Sequence, residues 1–294
     1  MEKKTFNCGG LFSGIGGFCY GFEKNNFVTS WVNEISKPVV DVYKENFLST
    51  HIFNCDIKNL GVMKNKLEQV DVLHAGFPCQ SFSIAGNRKG FDDPRGRLFF
   101  EIIRLINEFG KDKPKILVLE NSPNILNGEG GDWMDIIIFQ LQKAGYWLKM
   151  DNCLVMDTSL HACLPQKRKR VFMIATNRDY FIDNPVKNDF KQTKANSLDK
   201  YINLENKKNE KYYLPVENKF GAMLFQNLKD KPKYSLAQLR KNYVRSIPYG
   251  SCPTLTANMG RGGHNVPFII DNFGLRKLTE EECLKLQGFK SLLK

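Results

Sequence analysis

"FNCGGLFSGIGGFCYGF", residues 6–22, decides the fold. Its first seven residues, through Phe12, are mostly small or apolar and read as a strand. Gly14, Gly16 and Gly17 then permit a tight turn and a close approach of backbone to a ligand. Helical apolar spacing continues from there through Phe22. The glycines are not spaced as GxGxxG, because Cys19 stands at the last position, and no Gly-Lys-Ser/Thr comes after them. A dinucleotide site and a P-loop are therefore both disfavoured.

Outward from this turn the alternation repeats. "FVTSWVN" (27–33), "HIFNCD" (51–56), "VDVLHAGF" (70–77), "PKILVLENS" (114–122) and "RVFMIAT" (170–176) read as strands. "SKPVVDVYKENF" (36–47), with Ser36 as cap, "RGRLFFEIIRLINEFG" (95–110) and "DWMDIIIFQLQKAG" (132–145) carry helical spacing, and the last two stop at glycine. Strands alternating with helices predict an α/β fold, a mostly parallel sheet covered on both faces. Ligands then bind beyond the carboxyl ends of the strands. Near residue 178 the pattern turns polar, rich in Lys and Asn, and irregular to about residue 265. This predicts a second, smaller lobe. Helical periodicity returns in "RKLTEEECLKLQGF" (276–289), with Thr279 and Glu282 as a capping box.

The chain has 294 residues, a net charge of +12 and 42% hydrophobic residues, which suits a globular protein with a polyanionic partner, most simply nucleic acid. No apolar run is long enough to span a membrane, and "MEKKTFNCGGLF" is not a signal peptide. A cytoplasmic location is expected. The eight cysteines form no CxxC pair, so no metal site is expected.

Glu34 ends the second strand, where a carboxylate can hold both ribose hydroxyls, and Asp56 ends the third, within reach of an adenine amino group. Together with the glycine turn they describe a nucleoside cofactor without a pyrophosphate cradle, which S-adenosylmethionine fits. Cys79 comes after Pro78 just past the fourth strand, and Glu120 ends the fifth. A thiol nucleophile and a carboxyl group thus face one pocket.

The residues "GFPCQSFS" (76–83), "ENS" (120–122), "QKRKR" (166–170), the "FSGIGG" turn and "RKLTEEECLKLQGF" resemble the C5-cytosine DNA methyltransferases of bacterial restriction–modification systems, in family order from about Phe6 to Phe289. The resemblance implies a Rossmann-like S-adenosylmethionine-dependent methyltransferase sheet over residues 1–178, a target-recognition lobe over 179–268, and a return to the catalytic domain over 269–294. It implies a Cys79 nucleophile that adds to C6 of a flipped cytosine, with Glu120, Arg168 and Arg170 around the base. Phe12, Gly14, Gly16, Glu34, Ile35, Asp56, Ile57, Pro78 and Leu98 would hold the cofactor. Gln80, Ser83 and Thr254 would contact double-stranded DNA. A tRNA cytosine methyltransferase and a truncated, inactive DNA-binding relative are the alternatives.

Three departures from the family stand out. "ENS" replaces ENV. Gly9 and Gly10 stand where the family often has an apolar residue and Asp, which weakens the first strand. After "LQGF" the family continues to a GNSV-type segment, whereas this sequence ends "KSLLK". A second polypeptide supplying that segment, or weak cofactor affinity without it, is expected.

Overall fold

A computed structural model describes residues 5–78, 96–257, 259 and 265–289. They fall into two compact units, residues 1–155 with 170–189, and residues 156–169 with 190–293.

The first unit is built on a sheet of eight strands: β1 (Phe6–Leu11), β2 (Phe27–Asn33), β3 (His51–Phe53), β4 (Val72–Gly76), β5 (Ile116–Asn121), β6 (Tyr146–Trp147), β7 (Cys153–Asp157) and β8 (Lys169–Asn177). The order is β3-β2-β1-β4-β5-β8-β6, with β7 pairing β8. The five strands β1 to β5 run parallel, and β8 and β6 run antiparallel to their neighbours. The chain winds outward from β1 to β3 and then returns to β4 on the other side of β1. This places a topological switch point, the usual ligand crevice, between β1 and β4.

Helices α1 (Gly17–Glu23), α2 (Lys37–Asn46), α3 (Val62–Asn65), α4 (Leu98–Glu108) and α5 (Asp132–Lys143) belong to this unit. Helix α4 buries Phe99, Ile102, Ile103, Leu105 and Ile106 in the same core as Leu73, Leu117 and Leu119 of the sheet. Each such side chain contributes about 1.5–3 kcal/mol by leaving water. Ser36 occupies the cap of α2 as expected, but its side chain makes no capping hydrogen bond, and its backbone N–H donates to Glu34 instead.

The two strand glycines have a packing reason. A Cβ on Gly9 would lie 2.7 Å from the Trp31 ring, and one on Gly10 would lie 2.4 Å from Cε1 of His74. The volume those residues leave is taken by side chains of β2 and β4, and β1 keeps its place at the centre of the sheet.

The second unit holds α6 (Thr158–His161), α7 (Lys219–Leu228), α8 (Glu280–Leu286) and a four-stranded sheet. Its strands are β9 (Ala237–Leu239), β10 (Val244–Ser246), β11 (Pro267–Asp271) and β12 (Gly274–Lys277), in the order β10-β9-β11-β12. Leu224 and Leu228 of α7 pack against Ala237 and Leu275 of this sheet. The contact division differs from the composition shift at residue 178. Residues 269–289 group with the second unit because Leu278 and Leu286 share a core with Leu198, Ile202, Leu236 and Ile269. Polarity marks where surface begins, and contacts mark which core a segment joins.

The capping box at α8 is present: Thr279 Oγ1 accepts from the Glu282 N–H at 3.2 Å, and Glu282 Oε2 accepts from the Thr279 N–H at 2.9 Å. No helix among the described residues is long and apolar enough to cross a membrane.

Candidate functional site

Residues just past the carboxyl ends of the parallel strands stand where an open α/β sheet binds its ligands. After β1 the chain turns at Phe12 (φ 54°), Gly14 (φ 57°) and Gly16 (φ 94°), all in the left-handed region. A side chain at Gly14 would meet nothing within 4 Å, so this glycine leaves the space above the turn open. Gly16 is closed instead, its missing Cβ replaced by the Phe47 ring at 2.2 Å. Glu34 comes directly after β2. Its Oε2 accepts from the Gly14 N–H at 3.0 Å and its Oε1 from the Ser36 N–H at 2.9 Å, which fixes the carboxylate beside the glycine turn. Ile35 is 64% exposed beside it, as an apolar surface for a flat ligand would be. Asp56, past the end of β3, caps the short turn Ile57–Asn59 by accepting from the Lys58 N–H at 3.0 Å, while Ile57 is buried in the core. Leu98 opens α4 and packs partly buried against the same core. A clamped ribose-type acid, an open glycine turn and an exposed Ile fit the nucleoside of S-adenosylmethionine.

The other half of the crevice lies over β4 and β5. Gly76 and Glu120 are paired in register. Arg170 Nε, at the start of β8, lies 2.6 Å from Glu120 Oε1. A Cβ on Gly76 would stand 3.3 Å from Glu120 Oε2, so the glycine gives the carboxylate its room. Pro78 comes next but one, and Cys79, Gln80 and Ser83 lie outside the described residues. Elsewhere burial pushes thiols up: Cys8 to about 11, and Cys19, Cys153 and Cys283 to about 12. Those groups stay protonated and are poor nucleophiles.

Three contributors are given no role by the sequence analysis, although Asn121 lies within its "ENS" motif. Asn121 is buried and donates from Nδ2 to the Phe77 carbonyl at 3.2 Å, which ties the end of β5 to the residue before Pro78. His74 and Phe18 stack at 4.8 Å between ring centroids, and Phe18 meets Phe172 edge-on at 6.1 Å. Because Phe172 is the register partner of Glu120, these rings form an apolar support on the carboxylate's side of the sheet. An isolated aromatic in a helix gives no hint of such a role.

In the second unit the basic run is stitched to the segment holding Thr254. Gln166 is 1% exposed, accepts from the Leu255 N–H at 3.1 Å and donates to the Leu286 carbonyl at 3.1 Å. Thr254 Oγ1 donates to the Lys167 carbonyl at 2.7 Å, and Arg168 Nη1 to the Leu255 carbonyl at 3.3 Å. The structure thus joins Glu120 to Arg170, and Arg168 to the Thr254 segment. No cluster of three or more His, Cys, Asp or Glu suited to a metal occurs among the described residues.

The family model described as C-5 cytosine-specific DNA methylase matches residues 6–291. The chain is 37% identical over 284 residues to the Type II methyltransferase M.Bsp6I of Bacillus sp. (strain RFL6), covering 95% of this chain and 86% of that protein. It is 30% identical over 285 residues to the Type II methyltransferase M.HhaI of Haemophilus parahaemolyticus, covering 95% and 82%. Among solved structures it is similar to the Entamoeba histolytica methyltransferase EhMeth, with TM-score 0.66, 20% identity and coverage of 99% and 88%. It is equally similar in fold to a DNA modification methyltransferase encoded within an Escherichia coli prophage, with TM-score 0.66, 18% identity and coverage of 99% and 90%. The comparisons do not support a second polypeptide, and they do not favour the tRNA or inactive alternatives.

Proposed function

This chain belongs to the C-5 cytosine-specific DNA methylase family, and from that premise we propose that it methylates C5 of a flipped cytosine within a specific duplex sequence, as part of a restriction–modification system, through a Cys79–C6 adduct. The observation that carries the reading is the register pair of Gly76 and Glu120. It sets a carboxylate held by Arg170 at the strand end that leads, within three residues, to Cys79.

C5 of cytosine is a weak nucleophile. Addition of the Cys79 thiolate to C6 would push electron density onto C5, and a thiolate suits this because it adds readily and can leave again. Glu120 would hydrogen-bond N3 and the 4-amino group where charge develops, with Arg170 fixing its carboxyl group and Arg168 near the cytosine O2. C6 is covered on both faces in a stacked duplex, so the base must leave the helix before Cys79 can reach it. Phe12, Gly14, Gly16, Glu34, Ile35, Asp56, Ile57, Pro78 and Leu98 would hold S-adenosylmethionine, whose sulfonium supplies the methyl group. Gln80, Ser83 and Thr254 would contact the DNA. Loss of the C5 proton and of the Cys79 thiolate then restores the aromatic ring.

The test is methyl transfer to mixed-sequence duplex DNA, and then to a duplex bearing 5-fluorocytosine at the mapped site. Fluorine cannot leave as a proton does, so the enzyme should become covalently trapped on that duplex. Methylation without trapping, or trapping by a Cys79→Ser variant, would overturn the proposed adduct.

A further inference from the structure

Among the described residues Arg104 is held by Glu101 and Glu108, Arg170 by Glu120, and Arg276 by Asp271 and Glu282, while Arg168 donates to the Leu255 carbonyl. Arg240 is anchored differently. It stands just after β9 in the β9–β10 hairpin, where its backbone N–H donates to the Tyr243 carbonyl at 2.8 Å. Its Nη1 donates to Asn265 Oδ1 at 2.7 Å and its Nη2 to Gln238 Oε1 at 3.1 Å. Gln238 is buried, and its Nε2 donates to the Asn265 carbonyl at 2.7 Å, so the amide that receives Arg240 is itself fixed. Among the described residues no carboxylate pairs with Arg240. Neutral groups therefore set the plane of the guanidinium and leave its charge uncompensated. Among the described residues, two of its five N–H donors are used.

A cation wanted only for its charge gains little from this framing. A phosphate is met well by a mobile side chain, and the same hairpin carries exposed Lys241 and Arg245. A fixed plane matters when the ligand is planar and offers two acceptors at a set spacing. Guanine does so through O6 and N7 in the major groove, and that groove admits a two-stranded ribbon. The hairpin has the required access, because β10 is the edge of its sheet. We propose that Arg240, framed by Gln238 and Asn265, reads a guanine in the recognition sequence. The proposal rests on the DNA-methylation reading above and assigns that reading a specificity-determining residue.

Selection of bound duplexes from a random-sequence library tests it, because base preference is then read without methyl transfer. The wild-type enzyme should select a motif containing a guanine. In the Arg240→Ala variant the preference for guanine at one position should fall by roughly tenfold to a hundredfold, with the other positions unchanged. Arg240→Lys should show the same loss with the salt dependence of binding preserved, since lysine keeps the charge but not the fork. Lys241→Ala should instead weaken all sequences alike and lower the salt slope by about one. Undiminished guanine preference in both Arg240 variants would overturn the proposal. So would a uniform weakening of all sequences with a flatter salt slope, which would make Arg240 a phosphate contact. A wild-type enzyme that selects its motif but methylates no cytosine in it would remove the methylation reading and leave the assignment of Arg240 standing.

Discussion

His74 should make this protein acid-sensitive in a way that one substitution removes. The ring lies fully buried in β4, stacked on Phe18 and on Phe22, with Nε2 3.6 Å from Cys19 Sγ and Nδ1 without a hydrogen-bond partner. The Cys19 thiol is itself pushed up to about 12, so it offers the imidazolium no negative charge. Burial alone lowers His74 from 6.5 to about 3. As pH falls through 6.5 the unfolded chain binds a proton at this position and the native chain does not. The stabilising contribution is therefore complete above pH 6.5 and is lost progressively between 6.5 and 3. At about 1.4 kcal/mol per unit, the loss from this ring is about 2 kcal/mol by pH 5 and about 5 kcal/mol by pH 3. Against a net stability of about 5–15 kcal/mol that is large. Trp31, Trp133 and Trp147 all lie in the first unit, so tryptophan fluorescence during urea titration reports on the unit that holds His74. Wild type should lose about 2 kcal/mol more between pH 7 and pH 5 than His74→Leu, because every other titration is common to both chains. Equal losses would show that the ring takes up its proton in the native state, and the reasoning would fail.

Gly10→Ala should cost about 1–3 kcal/mol, because its Cβ would stand 2.4 Å from the His74 ring. Adding His74→Ala should recover part of that cost in a double-mutant cycle on urea unfolding. Arg276→Met should destabilise the second unit by about 3–5 kcal/mol, read by circular dichroism during thermal unfolding, because it leaves the Asp271 and Glu282 carboxylates buried without their cation. On the proposed mechanism, Glu120→Gln should lower kcat by roughly 10²–10⁴-fold while S-adenosylmethionine affinity by calorimetry stays near that of wild type, since Glu120 ends β5 in an ion pair with Arg170 and is not part of the glycine turn. Cys79→Ser should abolish turnover with cofactor binding likewise retained, because a serine alkoxide is inaccessible near neutral pH.

The parts of this fold that local chemistry dictates were legible in the sequence. The turn at Gly14 and Gly16 needs positive φ, and both positions have it. The capping box of Thr279 and Glu282 is a spacing rule satisfied within one helical turn. Strand direction was not legible. "RVFMIAT" has the composition of a buried strand, but nothing in its periodicity distinguishes the antiparallel β8 from a sixth parallel strand. At the site, the sequence placed Glu34 as an acid at a strand end. Its two backbone donors come from Gly14, twenty residues earlier, and Ser36, so its orientation emerged only with the sheet.

Charge misleads most where partners are distant in sequence or do two jobs at once. Arg276 sits in a stretch rich in Lys and Glu, yet it is fully buried. Its Nε lies 2.5 Å from Asp271, and its Nη1 and Nη2 donate to Glu282 at 2.8 and 2.9 Å. Glu282 is legible as the capping acid of α8, but the same carboxylate also receives the arginine fork. Tyr213 Oη donates to Asp271 Oδ2 at 3.0 Å, and Arg276 Nη2 to the Asn203 carbonyl at 3.1 Å, so chain some sixty to seventy residues earlier completes the network. Gly10 gives the same lesson without charge. Alone it reads as a weak point in β1, but the ring that fills its place belongs to β4, sixty-four residues on. A glycine in one strand and a histidine in the next are halves of a single packing unit, and neither has a meaning that its own neighbours in sequence could supply.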